Sequence, residues 1–123
     1  MKYNAETRHY FETTARAGHL SGAKVYRGAA GDREQGSWVQ FDLKFASGNL
    51  ADARFLAFGC PHTIAAAAWV AEQAVGKPVA RRLPDSVQAI SLKFAVPLEK
   101  LGRLLIVEDA WLAAIDAGLK VER

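Results

Sequence analysis

Asp52-Ala53-Arg54-Phe55-Leu56-Ala57-Phe58-Gly59-Cys60 runs straight into Pro61-His62-Thr63-Ile64-Ala65-Ala66-Ala67-Ala68, and the change of period at Gly59 decides the fold. Before it, apolar residues recur every second position. Ala51, Ala53, Phe55 and Ala57 fall on one face, and Asp52 and Arg54 on the other; this is the pattern of a half-buried strand. After it, Pro61 suits a first helical position, where a missing N–H is not needed. A helix is expected from His62 to Val75, closing at Gly76-Lys77-Pro78, and its alanines let another element approach closely.

Outward from this junction the preceding residues give a partner strand. Val39, Phe41, Leu43 and Phe45 alternate with Trp38, Gln40, Asp42 and Lys44, and Ala46-Ser47-Gly48-Asn49 is a turn, so residues 38–58 read as an antiparallel hairpin. A short strand is expected over Lys24–Arg27, with a loop over Gly28–Gly36 that holds three glycines. At the N-terminus Asn4 caps a helix expected to reach Ala17 and stop at Gly18. On the C-terminal side, Asp85 and Gln88 have capping-box spacing ahead of Val87, Ile90 and Phe94. Leu101, Leu105, Leu112, Ile115 and Leu119 mark the buried stripe of a long last helix. The expected fold class is therefore α+β: a small three-stranded antiparallel sheet with helices packed on one face, in the order N-terminal helix, β-hairpin, C-terminal helices.

The chain has 123 residues and is expected to form one domain, 1–123. Half of its residues are hydrophobic and 24% are charged, a composition that builds a core rather than a disordered chain. One cysteine excludes an intrachain disulfide framework and an all-cysteine zinc site. Sixteen Lys and Arg against thirteen Asp and Glu give a net charge of +3. That excess is mild and scattered, so no nucleic-acid partner is expected. The first ten residues are too polar for a signal peptide, and no run is apolar enough to span a bilayer. The expected setting is cytoplasmic, with no membrane partner.

Cys60 is the residue with most chemical promise. It follows a strand, sits beside Gly59 and opens a helix, whose unpaired N–H groups and partial positive charge favour a thiolate. The simpler reading is a small residue buried at a helix start. His62 lies two positions on, which is the wrong spacing for two side chains to face each other on a helix. No third orienting group is visible, and no enzymatic activity is expected. Asp32, in the glycine-bearing loop, has the character of a turn aspartate bonding its own backbone. Glu108 and Asp109 are adjacent on a helix, about 100° apart, and form a solvated edge rather than a catalytic pair.

Taken together these blocks resemble the NifU/IscU-type iron–sulfur cluster scaffold family. The match is strongest over Asp52–Cys60 and Thr63–Ala67 with Gly76-Lys77, continues in Glu99-Lys100-Leu101, Glu108-Asp109-Ala110 and Ala113-Ala114-Ile115, and is weaker in Gly28-Ala29-Ala30-Gly31-Asp32. The resemblance implies a site of three cysteines helped by an aspartate and a histidine. Here Ala30 stands at the first cysteine position, and Gly102 and Arg103 stand where the histidine and third cysteine are expected. Cys60 and Asp32 remain as cluster, metal or persulfide residues, with His62 and Arg103 as auxiliaries. Val96-Pro97-Leu98-Glu99-Lys100 echoes the family's chaperone-binding segment, which makes Pro97 and Lys100 partner-binding candidates.

The family site implies an iron–sulfur cluster or a single metal ion as cofactor, and partners among the assembly machinery, either a sulfur donor or a chaperone. Iron in a cluster is held mainly by thiolates, usually four, and a guanidinium keeps its charge. Cluster binding by a site reduced to Cys60 and Asp32 is expected to be impaired. Three functions stay open: a scaffold-like protein that borrows ligands from a second copy of the chain, a partner or a small thiol; a cluster-free interaction module; and a single-thiol persulfide acceptor.

Overall fold

In the computed structural model, which describes residues 2–122, the first helix, α1, covers Ala5–Glu12. Asn4 caps it by accepting the Thr7 N–H at 2.8 Å. The helix ends at Thr13, short of the expected Ala17, because the following residues bond elsewhere: Phe55 N–H donates to Arg16 O and Gly18 N–H to Phe55 O, both at 2.9 Å. Pairing along a strand edge thus overrides the local helical tendency.

The sheet is three antiparallel strands in the order β1 (Tyr26–Asp32), β2 (Ser37–Ala46) and β3 (Asn49–Phe58). Strand β1 corrects the expected one: it starts later than Lys24, which has φ 59°, and takes in Gly28–Asp32, expected as loop. The glycine that suggested a loop is there for packing. A Cβ on Gly28 would land in the backbone of Ala113 and Ala114. The β2–β3 hairpin turns through Ser47 (φ 52°) and Gly48 (φ 80°), left-handed positions that match the twist of the strands. Register pairs Phe41 with Phe55 and Leu43 with Ala53, and shifts at Lys44/Phe45, where Phe45 faces Leu50. This irregularity turns Leu50 inward and leaves Ala51 exposed, against the strict alternation expected for that strand.

Helix α2 covers Pro61–Ala74 with Pro61 at its start, and Ala65, Ala66 and Ala67 are fully buried. Helix α3 (Val87–Lys93) is capped by Ser86, which accepts the Ala89 N–H at 3.1 Å. The expected cap, Asp85, instead accepts the Ser86 N–H. Helix α4 covers Leu101–Glu122 and buries Leu104, Val107, Ala110, Trp111, Ala114, Ile115 and Gly118. The expected leucine stripe shares only Ile115 with this face, and Leu105 is half exposed. Small residues, not leucines, let α4 lie close on the sheet.

Helices α4 and α2 both cover the sheet face of Val39, Phe41 and Leu43, α4 over β1 and β2 and α2 over β3; α1 packs on α2. Phe41 meets Trp111 edge-on at 5.1 Å. On the opposite sheet face Asp42 is buried beneath Arg27, whose guanidinium donates to it at 2.7 and 2.8 Å, and accepts the Leu20 N–H. The expected fold class, helices on one face of a three-stranded antiparallel sheet, is the one observed.

Candidate functional site

Cys60 is the N-cap of α2, with extended backbone angles, and is half-buried. Gly59 before it has φ 152°, and a Cβ there would sit 3.2 Å from Gly36 O and 3.3 Å from Ser37 Oγ. The sequence needs glycine at 59 because the strand end passes so close to the segment leaving β1. Cys60 Sγ lies 3.7 Å from Thr63 Oγ1. Burial is the largest single influence on the thiol and pushes its pKa up. Hydrogen bonds from the Thr63 N–H and hydroxyl and the His62 N–H, with the charge of Arg103, outweigh it and hold the pKa below the ordinary cysteine value. A larger share of thiolate at neutral pH follows.

His62 is 2% exposed and belongs to the core. Its ring meets Tyr3 edge-on at 4.9 Å, and its Nδ1 has no hydrogen-bond partner. Burial first, then the charges of Lys100 and Arg103, push its pKa down, so the ring is neutral at physiological pH.

Asp32 ends β1 and caps a 3-10 turn over Arg33–Gln35, accepting the Glu34 N–H at 2.9 Å. It is the turn aspartate that its context implied. Asp32, Lys100 and Arg103 line one cleft of about 350 Å³, together with Gly31, Gln35 and Ser37. Gly102 opens onto the same cleft. Ala30 is partly buried in β1 against the core. Pro97 precedes a second 3-10 turn over Leu98–Lys100 that leads into α4, and Leu98 beside it is 81% exposed.

The structure therefore gathers Asp32, Lys100 and Arg103, and sets Cys60 within reach of the Arg103 charge. Among the described residues no group of three or more His, Cys, Asp or Glu side chains is placed to hold a metal ion. One soft donor, Cys60, and two carboxylates at the cleft, Asp32 and Glu99, are what the site offers, fewer thiolates than the usual four of a cluster. The arrangement does fit a nucleophilic thiol beside a fixed cation. Sequence reasoning missed three participants. Thr63 has a visible signal, since it lies three positions after an N-cap. Gln35 and Ser37 reach the site because the chain turns back between β1 and β2, which pairs Asp32 with Ser37; a reading of this segment as open loop does not show that.

A three-stranded antiparallel sheet with helices on one face and a cysteine at the strand-to-helix junction defines a small α+β fold, and comparison places the chain more narrowly. Residues 2–120 match the family described as the NifU-like N-terminal domain, and the chain belongs to it. It is 35% identical over 92 residues to iron-sulfur cluster assembly protein 3 of Arabidopsis thaliana, across 74% of this chain and 54% of that protein. It is 29% identical over 117 residues to iron sulfur cluster assembly protein 1 of Trachipleistophora hominis, across 94% of this chain and 85% of that protein. It thus spans about half the length of the first relative and most of the second. Among solved structures, the N-terminal part of a nitrogen-fixing NifU-like protein from Brucella abortus superposes with a TM-score of 0.73 at 18% identity, covering 95% of this chain and 94% of that one. At that identity the likeness speaks for the fold alone. No helix among the described residues is long and apolar enough to cross a membrane.

Proposed function

We propose that this chain serves iron–sulfur cluster assembly as a scaffold-fold protein, residues 1–123 acting as one non-enzymatic cytoplasmic domain, that does not hold a cluster on its own ligands. The observation that carries the reading is the composition of the site: one thiolate, Cys60, in the field of Arg103, beside a cleft whose carboxylates are Asp32 and Glu99. A cluster wants about four thiolate ligands, and a guanidinium does not give up its charge to make room for iron. Iron and sulfide are then cargo for a site completed by a sulfur donor, a chaperone or a second copy. Pro97 and Lys100, flanking exposed Leu98, are the docking candidates.

Anaerobic reconstitution with ferrous iron and sulfide tests this. The expected product of the isolated chain is colourless and iron-free. A visible charge-transfer band that disappears in Cys60→Ala would overturn the claim that the chain cannot hold a cluster alone.

The depressed Cys60 pKa favours a second reading, a persulfide acceptor. The Cys60 thiolate attacks the outer sulfur of a donor persulfide; a new S–S bond forms on Cys60, the donor's S–S bond breaks, and the donor thiolate leaves. No net oxidation occurs, and Arg103 balances the charge of the product. Mass spectrometry after incubation with a persulfide donor is expected to show one added sulfur on Cys60; an unmodified thiol removes this reading.

A further inference from the structure

Beside Cys60, three hydrogen-bond donors converge on the cleft with nothing to bond. Ser37 is 8% exposed and lines the cleft, yet its hydroxyl engages no group among the described residues. The same is true of the Gln35 amide and the half-buried Arg103 guanidinium, although Asp32 and Glu99 line the same cleft. The Ser37 side chain is held in the cleft wall with its hydroxyl free of partners among the described residues, so the hydroxyl is available to whatever fills the cleft. An unpaired guanidinium is a planar fork shaped for an oxyanion.

The backbone adds to this. Helix α4 is 22 residues long, so its N-terminal end carries a partial positive charge. That end opens on the cleft at Gly102, where even a Cβ would meet nothing within 4 Å. The Leu101 N–H is taken by Leu98 O, and the next residue, Gly102, carries no side chain of its own at the cleft. Of the two carboxylates, Asp32 is turned onto the Glu34 N–H, and Glu99 is exposed to solvent, where water screens it. Lys100 has an engagement of its own and is not needed for the site.

We propose that this cleft binds a tetrahedral oxyanion, of the sulfate, thiosulfate or phosphate kind, between Ser37 Oγ, the Gln35 amide, the Arg103 guanidinium and the N-terminal end of α4. The binding requires neither iron nor sulfur transfer, so it stands or falls apart from the assembly function. It has a consequence for Cys60: a bound dianion offsets the Arg103 charge that helps to depress the thiol pKa.

The test is an amide NMR titration of the full chain with sodium sulfate, thiosulfate and phosphate in separate arms, ionic strength being held constant with sodium chloride. Saturable shifts are expected at residues 35–37 and 102–103 in the oxyanion arms and not with chloride alone. Arg103→Gln is expected to weaken binding at least about tenfold, and Gln35→Ala by a few-fold. The pH midpoint for Cys60 alkylation should rise when the site is filled. Similar binding in the three arms supports recognition of the tetrahedral oxyanion itself; a preference of about tenfold for thiosulfate supports it with a sulfur-bearing ligand. No saturable shift in any arm overturns the proposal, and so does wild-type affinity in both variants; Gln35 is exposed, so its variant stays informative should Arg103→Gln fail to fold.

Discussion

The two ends of helix α4 make opposite demands on sequence. Toward its C-terminal end the helix touches the sheet almost backbone to backbone. Gly28 has no room for a Cβ against Ala113 and Ala114, and a Cβ on Gly118 would enter the rings of Phe45 and Tyr26. At its N-terminal end Gly102 faces open space, and Arg103 has no hydrogen-bond partner among the described residues. The tight contact is thus at one end of the helix and the open position at the other. Residues at the open end of α4 can change identity without unseating the helix, which is how a chain can keep this fold with Gly102 and Arg103 where the family resemblance leads one to expect ligands.

The sharpest way to break this contrast is at its tight end. Gly28→Ala places a methyl group against backbone that cannot rotate aside, and should cost about 3 kcal/mol or more in chemical denaturation. A loss under about 1 kcal/mol would mean that α4 is not locked there. Gly102→Ala, at the open end, should leave the midpoint unchanged or slightly raised, because alanine favours a helix.

The outer face of the sheet supplies an intermediate effect. Asp42→Asn removes the charge that Arg27 and the Leu20 N–H are built around, and should cost about 2 kcal/mol. The wild-type carboxyl carries a pKa below the ordinary value: burial, the largest influence, pushes up, and the bonds from Arg27, Leu20 and His19 outweigh it. Its stabilisation is therefore complete above the unfolded carboxylate pKa, about 3.9, and is lost as the pH falls through the lower folded value. Acid unfolding curves of wild type and Asp42→Asn should converge there.

A smaller pH effect belongs to His62. Its folded pKa is depressed by burial and by the nearby cations, so below about pH 6.5 the unfolded chain binds a proton that the folded chain refuses. Stability should decline as the pH drops from 6.5, and His62→Gln should flatten that slope in thermal melts. The smallest change in stability is expected from Arg103→Gln, within about 0.5 kcal/mol of wild type. Its signature is chemical instead: the pH midpoint of Cys60 alkylation by iodoacetamide should move up, because one of the influences that lowers the thiol pKa is gone. An unmoved midpoint would detach Arg103 from the thiol.

Much of the fold was legible because it rests on local periodicity. The β2–β3 hairpin, the turn at Ser47-Gly48 and the helix opened by Pro61 follow from alternation and punctuation. The errors have one physical origin, which is contact between distant segments. Gly28 looks like a loop residue until α4 is laid on it, and the leucines of α4 look like its buried face until Ala110, Ala114 and Gly118 are seen to permit a closer approach. Residues 14–17 look helical until the chain there pairs with β3. At the site, Cys60 and the capping character of Asp32 were readable from their immediate neighbours. The meeting of Ser37, Gln35 and Arg103 depends on the sheet and the α4 terminus coming together, and no spacing along the chain encodes it.

The pairing of Arg16 and Gly18 with Phe55 also guards the molecule. Strand β3 is an edge of the sheet, and Lys77 likewise accepts the Leu50 N–H at 2.8 Å, so two crossings of chain occupy hydrogen-bonding groups that would otherwise face solvent. A row of free strand amides is a template on which other chains can grow. Cutting the chain after Gly18 would lift one of these straps and turn that rim into a nucleus for self-association, so in this fold residues 16–18 act as a cover on a sticky seam.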